Sequence, residues 1–268
     1  MMKNKADQLP IFRKIRLEIV AAVIAYFLVL AAGLAIFAPT NGSLQSGGET
    51  RRYLLYVPKS LDQSNPVPLV ITFHGFAEWP AHVMRLSHWN QLADEFGFLV
   101  VYPRGSGFPF RWRCSSLFNK HEEQSQDVQF ISDLIDHLKK EYPIDEARIY
   151  ANGLSNGAGM SFLLAASLSD RIAAMGGVAG AYALPWAEYK PGRTVPAIIF
   201  HGTADPIVPF HVRSSGWPRI LPDIPQWVQS LAAHNGWQTN PVPLPGSGSV
   251  TGLRYPAATN NAEVIFYI

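Results

Sequence analysis

The 268-residue chain has one cysteine, Cys114, and charged residues make up only 16% of it. A single cysteine cannot form an internal disulfide. Cys114 is therefore either a buried small apolar residue or one half of a disulfide whose partner lies outside this sequence. Apolar residues make up 48% of the chain, so it has enough of them for a sizeable core, and wholesale disorder is excluded.

The sequence also has no P-loop and no clustered set of cysteines and histidines. We therefore expect no nucleotide, metal or redox cofactor. The net charge of +2 is unevenly placed, because residues 1–18 carry five basic and two acidic side chains and the remainder carries 17 and 18. The basic character belongs to the N-terminal tail and gives no indication of nucleic-acid binding.

One long apolar run, Ile19–Ala38, contains twenty residues without a charge. As a helix it is about 30 Å long, enough for a membrane's hydrocarbon core. With the basic tail of residues 1–18 before it, this run predicts either a transmembrane anchor with a cytoplasmic N-terminus or a cleaved signal segment, for which Gly33-Leu34-Ala35 is a suitable cleavage signal. Either reading places residues 39–268 outside the cytoplasm, and an uncleaved anchor makes the membrane a partner.

Residues 39–49 (PTNGSLQSGGE) have the composition of a linker, and residues 50–268 form the predicted folded domain. Short runs rich in β-forming residues predict seven strands, several of them continuously apolar. These are Arg52–Val57, Leu69–Phe73, Phe98–Tyr102, Arg148–Asn152, Ala174–Val178, Ala197–His201 and Val264–Ile268.

Three helices are predicted between the strands. Asp127–Lys140 has an amphipathic spacing, Gly157–Ser167 is apolar nearly all round, and Ile224–Asn235 ends before a glycine. Strands joined by long helical crossovers predict an α/β fold with a mostly parallel, doubly wound sheet.

The stretch Gly153-Leu154-Ser155-Asn156-Gly157 lies between a predicted strand and a predicted helix. This G-x-S-x-G spacing is typical of a nucleophile elbow, in which flanking glycines permit a strained turn and the serine lies at a helix N-terminus. Ser155 is the predicted nucleophile, and the Asn156 amide is a predicted oxyanion donor. The alternative is a tight turn without a catalytic role.

Upstream, a predicted strand ends in His74-Gly75-Phe76. A His-Gly pair at this place commonly opens the loop that supplies the second oxyanion amide, here that of Phe76. His74 is predicted to brace the loop without transferring protons.

Downstream, the strand at residues 197–201 runs into a loop that carries Asp205. The order serine, acid, histidine makes Asp205 the candidate orienting carboxylate. An Asx turn before Pro206 is the alternative. His201, at the strand end, is predicted to brace this second loop.

Taken together, five segments resemble the secreted polyhydroxybutyrate depolymerase and feruloyl esterase family. They are RRYLLYVPKSL, ITFHGF, DVQFISDLIDHLKKEYPIDEARIYANGLSNGAGMSF, MGGVAG and IIFHGTADPIVPF. The resemblance implies an α/β-hydrolase fold and hydrolysis of carboxylic esters, such as polyhydroxyalkanoate or feruloyl esters, through an acyl-serine. Ser155 and Asp205 fall on the family's nucleophile and acid.

The family's catalytic histidine follows the last core strand, but none of the eight histidines here comes after His234. The expectation is a C-terminally truncated esterase with impaired activity, and His211 and His234 are weaker candidates for the base. A serine peptidase or acetyl esterase of the same fold, or a non-catalytic membrane-anchored binding protein, are the alternatives. Phe108, Phe110, Trp112 and Trp217 either line an acyl pocket or pack within loops.

Overall fold

The computed structural model of the chain describes residues 20, 23–26, 33, 39–114, 121–212, 221–237, 240–257 and 262–268. It contains two units, Met1–Pro39 and Thr40–Ile268. The predicted tail 1–18 and most of the predicted span 19–38 lie outside the described residues. The part of the chain that is described contains no helix that is both long and apolar enough to cross a bilayer.

The larger unit contains ten strands and five helices among its described residues. The strands are β1 Gly42–Ser46, β2 Glu49–Tyr56, β3 Val67–Phe73, β4 Leu99–Pro103, β5 Ile144–Leu154, β6 Ala174–Val178, β7 Ala197–Phe200, β8 Val242–Leu244, β9 Gly252–Tyr255 and β10 Val264–Tyr267. The helices are α1 Pro80–Ser87, α2 Trp89–Phe96, α3 His121–Leu138, α4 Asn156–Ser167 and α5 Ile224–His234.

All the strands belong to one mixed sheet with the order β1-β2-β4-β3-β5-β6-β7-β10-β9-β8. The six central strands, from β4 to β10, run parallel, and the two strands at each edge pair antiparallel. The central strands β3 and β4 are buried along nearly their whole length, as strands covered on both faces must be. The predicted α/β class is therefore confirmed, and each of the seven predicted strands is present with a shift of a few residues at most.

The sheet carries helices on both faces. On one face, α3, α4 and α5 pack with the strands into the larger hydrophobic core. On the other, α1 and α2 cover a smaller cluster that includes Val70, Val83 and Phe98. The parallel strands all end at one edge of the sheet, and the loops that leave this edge carry the predicted site residues.

The predicted linker, residues 39–49, is wrong from Gly42 onwards. Gly42–Ser46 forms the edge strand β1, and Gly47-Gly48 makes the two-residue turn into β2 with φ values of 56° and 80°. Such a pair of positive φ angles is typical of a hairpin turn. The sequence did not predict this strand, because GSLQS is mostly polar and only Ser46 is fully buried. Helices α1 and α2 and strands β8 and β9 were also not predicted.

A buried ion pair joins the edge of the sheet to α3. Arg51 Nη2 lies 2.8 Å from Asp127 Oδ1, and both side chains are almost fully buried. The other carboxylate oxygen, Oδ2, accepts a hydrogen bond from the amide of Arg113 at 2.9 Å. The Arg51 guanidinium also lies 4.0 Å from the centre of the Phe130 ring. Asp127 thus holds together β2, α3 and the segment that follows β4.

We expect Asp127→Ala to lower the free energy of unfolding by about 3–5 kcal/mol, because it leaves the buried Arg51 cation without its partner. Denaturant unfolding measures the change. The control is Glu146→Ala, which removes the exposed Lys139–Glu146 pair and should cost about 0–1 kcal/mol. Equal losses in the two variants would contradict the role given to Asp127.

Candidate active site

Ser155 occupies the sharp turn between β5 and α4. Its backbone has φ 53° and ψ −115°, a strained conformation for a residue with a side chain. Its amide donates to Val178 O at 2.9 Å, and its carbonyl accepts from the amides of Ala158, Gly159 and Ala181, each at 3.1 Å. These bonds fix the turn from both sides, so the half-buried Ser155 side chain is held at the first turn of α4.

The two glycines around Ser155 are required by close approach. A Cβ on Gly153 would overlap the carbonyl group of Gly157, and a Cβ on Gly157 would overlap the carbonyl groups of Phe73 and His74. The first turn of α4 therefore packs directly on the end of β3. A side chain at either position would push the elbow away from that strand.

Asn156 begins α4 and has two separate groups at the site. Its side chain pairs with the backbone of Trp112: Oδ1 accepts from the Trp112 amide at 2.7 Å, and Nδ2 donates to the Trp112 carbonyl at 3.0 Å. Its own amide has no acceptor among the described residues. This amide is a free donor at a helix N-terminus, where a negative charge is favoured.

The loop after β3 leaves a second amide free. Gly75 donates to Glu78 Oε2 at 2.7 Å, Ala77 donates to Phe110 O at 2.8 Å, and Glu78 donates to Gly75 O at 3.3 Å. The Phe76 amide has no acceptor within the described part of the chain. The amides of Gly75, Ala77 and Glu78 thus have acceptors, and the Phe76 amide, the predicted oxyanion donor, has none among the described residues.

His74 is fully buried and bonds to two loops. Its Nε2 accepts from the Gly105 amide at 2.9 Å, so its Nδ1 carries the proton and donates to Gly75 O at 2.7 Å. Burial lowers the pKa of His74 from 6.5 to about 4. A neutral ring with both nitrogens in use connects the loop after β3 to the loop after β4.

Asp205 lies in the loop after β7, where the sequence predicted it. Its Oδ1 accepts from the amides of Ile207 and Val208 at 2.8 and 2.9 Å. This is the geometry of the Asx turn considered as the alternative. Its Oδ2 has no hydrogen-bond partner among the described residues, so the same side chain keeps one oxygen for a further donor, and both interpretations fit.

His201 is buried at the start of that loop. Its Nδ1 lies 3.1 Å from Gly202 O, and its amide donates to Tyr267 O at 3.0 Å. Its Nε2 is enclosed and has no partner within the described residues. His201 therefore contacts its own loop and β10, whereas His74 bonds across to a second loop.

None of the seven histidines with described side chains is hydrogen-bonded to Ser155 or Asp205. His211 pairs instead with Asp223, the residue that caps α5, at 2.9 Å. His234 bonds to Ser230 O at 2.8 Å and stacks on Trp186. Both weaker candidates for the base are thus held by other partners.

Of the two readings of the loop aromatic residues, pocket lining or packing, Trp112 takes the second. This side chain is only 2% exposed and is part of the core, whereas Phe108 is 62% exposed and Phe110 is partly exposed. Trp217 lies outside the described residues. The sequence also did not indicate the pairing of the Asn156 side chain with Trp112, because the two residues are 44 positions apart.

Cys114 is buried beside the elbow. Asn156 Nδ2 lies 3.2 Å from its sulfur, and burial raises the pKa of the thiol to about 12. A thiol with that pKa is protonated and unreactive near neutral pH. Of its two predicted readings, the structure has the buried small residue.

An apolar groove of about 690 Å³ lies on the face of the sheet that carries α1 and α2. Its lining includes Leu154, Val178 and Phe200, which lie on β5, β6 and β7, but it does not include Ser155. The groove also includes Gly153, so it reaches the end of β5 just before the elbow without including the serine itself.

A mixed sheet of this order with a strained serine between β5 and α4 is the arrangement of the α/β-hydrolase class. The family model described as Esterase PHB depolymerase matches residues 51–185. The chain belongs to this family, as its resemblance had predicted.

Two curated relatives illustrate the range of the family. A bifunctional acetylxylan esterase/xylanase of Neocallimastix patriciarum is 32% identical over 168 residues, which cover 63% of this chain and 23% of that protein. A poly(3-hydroxyalkanoate) depolymerase of Paucimonas lemoignei is 29% identical over 127 residues, covering 47% of this chain and 30% of the other. The chain thus spans less than half the length of these relatives.

Among solved structures, an acetyl xylan esterase from Aspergillus awamori superposes with a TM-score of 0.60. The match covers 86% of this chain and 88% of that one at 18% sequence identity. At this identity the likeness concerns the fold alone.

The buried His74 predicts a pH dependence of stability. Its pKa is about 4 in the folded chain and 6.5 ordinarily, so the unfolded chain takes up a proton at a higher pH than the folded chain does. The free energy of unfolding should then fall by about 1.4 kcal/mol per pH unit as pH decreases from 6.5 to 4, and by about 3 kcal/mol in all. Above pH 6.5 this contribution is constant.

Denaturant unfolding of the natural chain and of His74→Gln at pH 8 and pH 5 tests this dependence. The variant has no ring to protonate but keeps a side-chain acceptor, so it should lose about 2 kcal/mol less between the two pH values. An identical pH dependence in both proteins would show that His74 is not buried in its neutral form.

Proposed function

We propose that this chain is a carboxylic-ester hydrolase that works through an acyl-serine intermediate on Ser155. The observation that carries the proposal is the position of Ser155, in a strained turn at a helix N-terminus, with the free amides of Phe76 and Asn156 in the two segments packed beside it. Free amides at this position stabilise an oxyanion. Membership of the esterase family supports the same reaction.

In the proposed reaction, a base removes the proton from Ser155 Oγ as this oxygen attacks the ester carbonyl carbon. The carbonyl oxygen becomes an oxyanion and accepts hydrogen bonds from the amides of Phe76 and Asn156. The tetrahedral intermediate collapses to an acyl-serine, and the alcohol leaves with the proton. Water, activated by the same base, then releases the acid and restores Ser155.

Asp205 is the proposed orienting acid. Its Oδ1 is fixed by two amides of its own loop, which leaves Oδ2 to accept a hydrogen bond from an imidazole. A carboxylate in this role selects the tautomer of the base and stabilises the imidazolium that forms.

The proposed general base is an imidazole, and no described histidine of this chain holds that place. We therefore infer that the 268-residue chain hydrolyses esters slowly, through its nucleophile and oxyanion donors alone. Loss of the base from such a triad leaves only modest residual catalysis.

The proposed substrates are esters of polymers, either polyhydroxyalkanoates or feruloyl and other aryl esters. The two relatives support this class, because their names assign them acetylated xylan and poly(3-hydroxyalkanoate). The exposed ring of Phe108 lies in the loop that also contacts Ala77 beside Phe76, and suits an apolar acyl or aryl group. Export from the cytoplasm, by anchor or cleaved signal, is proposed from residues 1–38.

Hydrolysis of p-nitrophenyl acetate tests the reaction. We expect slow turnover by the natural chain that rises with added imidazole, because imidazole can act as the base that no described histidine provides. In Ser155→Ala, both the slow turnover and the imidazole-dependent part should fall to the rate of buffer and imidazole alone.

Ser167→Ala, a change at the other end of α4, serves as the control and should keep both rates. If Ser155→Ala is as active as the natural chain, the serine mechanism is wrong. Fast turnover without imidazole, lost on replacing His211 or His234, would show that the chain contains its own base. Cleavage of a p-nitroanilide at a comparable rate would favour a peptidase.

Asp205→Asn separates the two interpretations of that residue. The asparagine oxygen still accepts from the amides of Ile207 and Val208, so we expect the melting temperature to stay within about 2 °C. The imidazole-supported rate should nevertheless fall at least about tenfold, because the charge that stabilises the imidazolium is lost. An unchanged rate would leave Asp205 with only the structural role of its Asx turn. Asp205→Ala tests that role, because alanine cannot accept hydrogen bonds from the amides of Ile207 and Val208.

A further inference from the structure

We propose that Trp112 is a positioning residue that sets the distance between the two oxyanion amides, those of Phe76 and Asn156. This inference rests on the proposed function, because it concerns the geometry of the same site. Trp112 is 2% exposed, so it acts through other residues and not by touching the substrate.

Trp112 contacts the elbow through its backbone. The side chain of Asn156 accepts a hydrogen bond from the Trp112 amide and donates one to the Trp112 carbonyl. These two bonds join the first residue of α4 to the segment after β4. Such a pairing fixes orientation as well as distance. The free Asn156 amide belongs to the same residue, so its direction is tied to Trp112.

Trp112 contacts the loop after β3, which carries Phe76, through its side chain. Its indole Nε1 donates to His74 O at 3.1 Å, and its ring packs edge-on against Phe73 at 5.0 Å between centres. His74 O is also one of the atoms against which Gly157 packs. The indole therefore holds the root of the loop that carries Phe76 at the place where the elbow touches it.

The His74 ring continues this connection. It bonds to Gly75 O, next to Phe76, and to the amide of Gly105 at the start of the segment that leads to Trp112. The same segment accepts the Ala77 amide at Phe110 O. The loop of Phe76 is thus bonded on both sides of its free amide to one segment, residues 105–112, which Asn156 holds through Trp112.

The test is Trp112→Phe, which keeps an aromatic ring against Phe73 and removes the bond to His74 O. We expect kcat for p-nitrophenyl acetate, measured with imidazole, to fall about tenfold while KM changes less than twofold. An indirect displacement of one donor should cost less than removing a donor outright, which lowers kcat roughly 100-fold or more. The dissociation constant of phenylboronic acid, which forms a tetrahedral adduct on serine, should rise by the same factor.

Trp227→Phe is the matched control. Trp227 is equally buried, but its indole nitrogen has no partner among the described residues, and its ring stacks on Tyr182. It should lose stability without changing kcat or boronate binding. If Trp112→Phe behaves like this control, the inference is overturned.

Two further variants keep the outcomes distinct. Ser155→Ala must abolish both turnover and boronate binding; if it does not, the proposed function fails, whatever Trp112 does. If Trp112→Phe does not fold, Asn156→Asp takes its place, because it keeps the acceptor for the Trp112 amide and replaces the donor to the Trp112 carbonyl. It should show the same loss of kcat and boronate affinity, and natural values in this variant would contradict the inference.

Discussion

The candidate site depends on one close approach, that of the first turn of α4 to the end of β3. Gly157 lies so near the carbonyl groups of Phe73 and His74 that a single Cβ would separate them. This contact brings the N-terminus of a helix beside the loop that follows β3, and each segment has a backbone amide without an acceptor in the part of the chain that the structure describes. The strained backbone of Ser155 is the consequence, because the chain must turn from strand to helix within one residue to make the contact.

A second layer of buried hydrogen bonds keeps this geometry. Asn156, Trp112 and His74 connect the elbow, the segment after β4 and the loop after β3. The bonds of the His74 ring and of the Trp112 indole are buried, and those of the Asn156 side chain are partly buried. Buried polar groups that are fully paired make an arrangement specific, since breaking one bond leaves its partner unsatisfied in a place that water does not reach. The low pKa of His74 has the same cause, because a charged ring there would be buried without a counter-ion.

The sequence predicted the features that depend on residues adjacent in the chain. The continuous apolar runs identified the central strands, and the G-x-S-x-G spacing identified the elbow, because a strand, a strained turn and a helix follow each other directly there. Strand β1 was not predicted, because a polar edge strand has no apolar pattern. The adjacent glycines Gly47-Gly48 were the one indication of a hairpin turn. The pairing of Trp112 with Asn156 could not be predicted, because it depends on how loops distant in sequence meet in the fold. Asp205 shows a different limit: its residue type suits both an Asx turn and an orienting acid, and the structure accommodates both.

The proposed chemistry requires that the oxygen on the atom attacked by Ser155 lies between the amides of Phe76 and Asn156. A crystal structure of the chain after reaction with diethyl p-nitrophenyl phosphate tests this most directly. We expect a phosphorus atom bonded to Ser155 Oγ and a phosphoryl oxygen about 2.7–3.1 Å from the amide nitrogens of both Phe76 and Asn156. A phosphoryl group on another residue, or one on Ser155 whose oxygen points away from these amides, would contradict it.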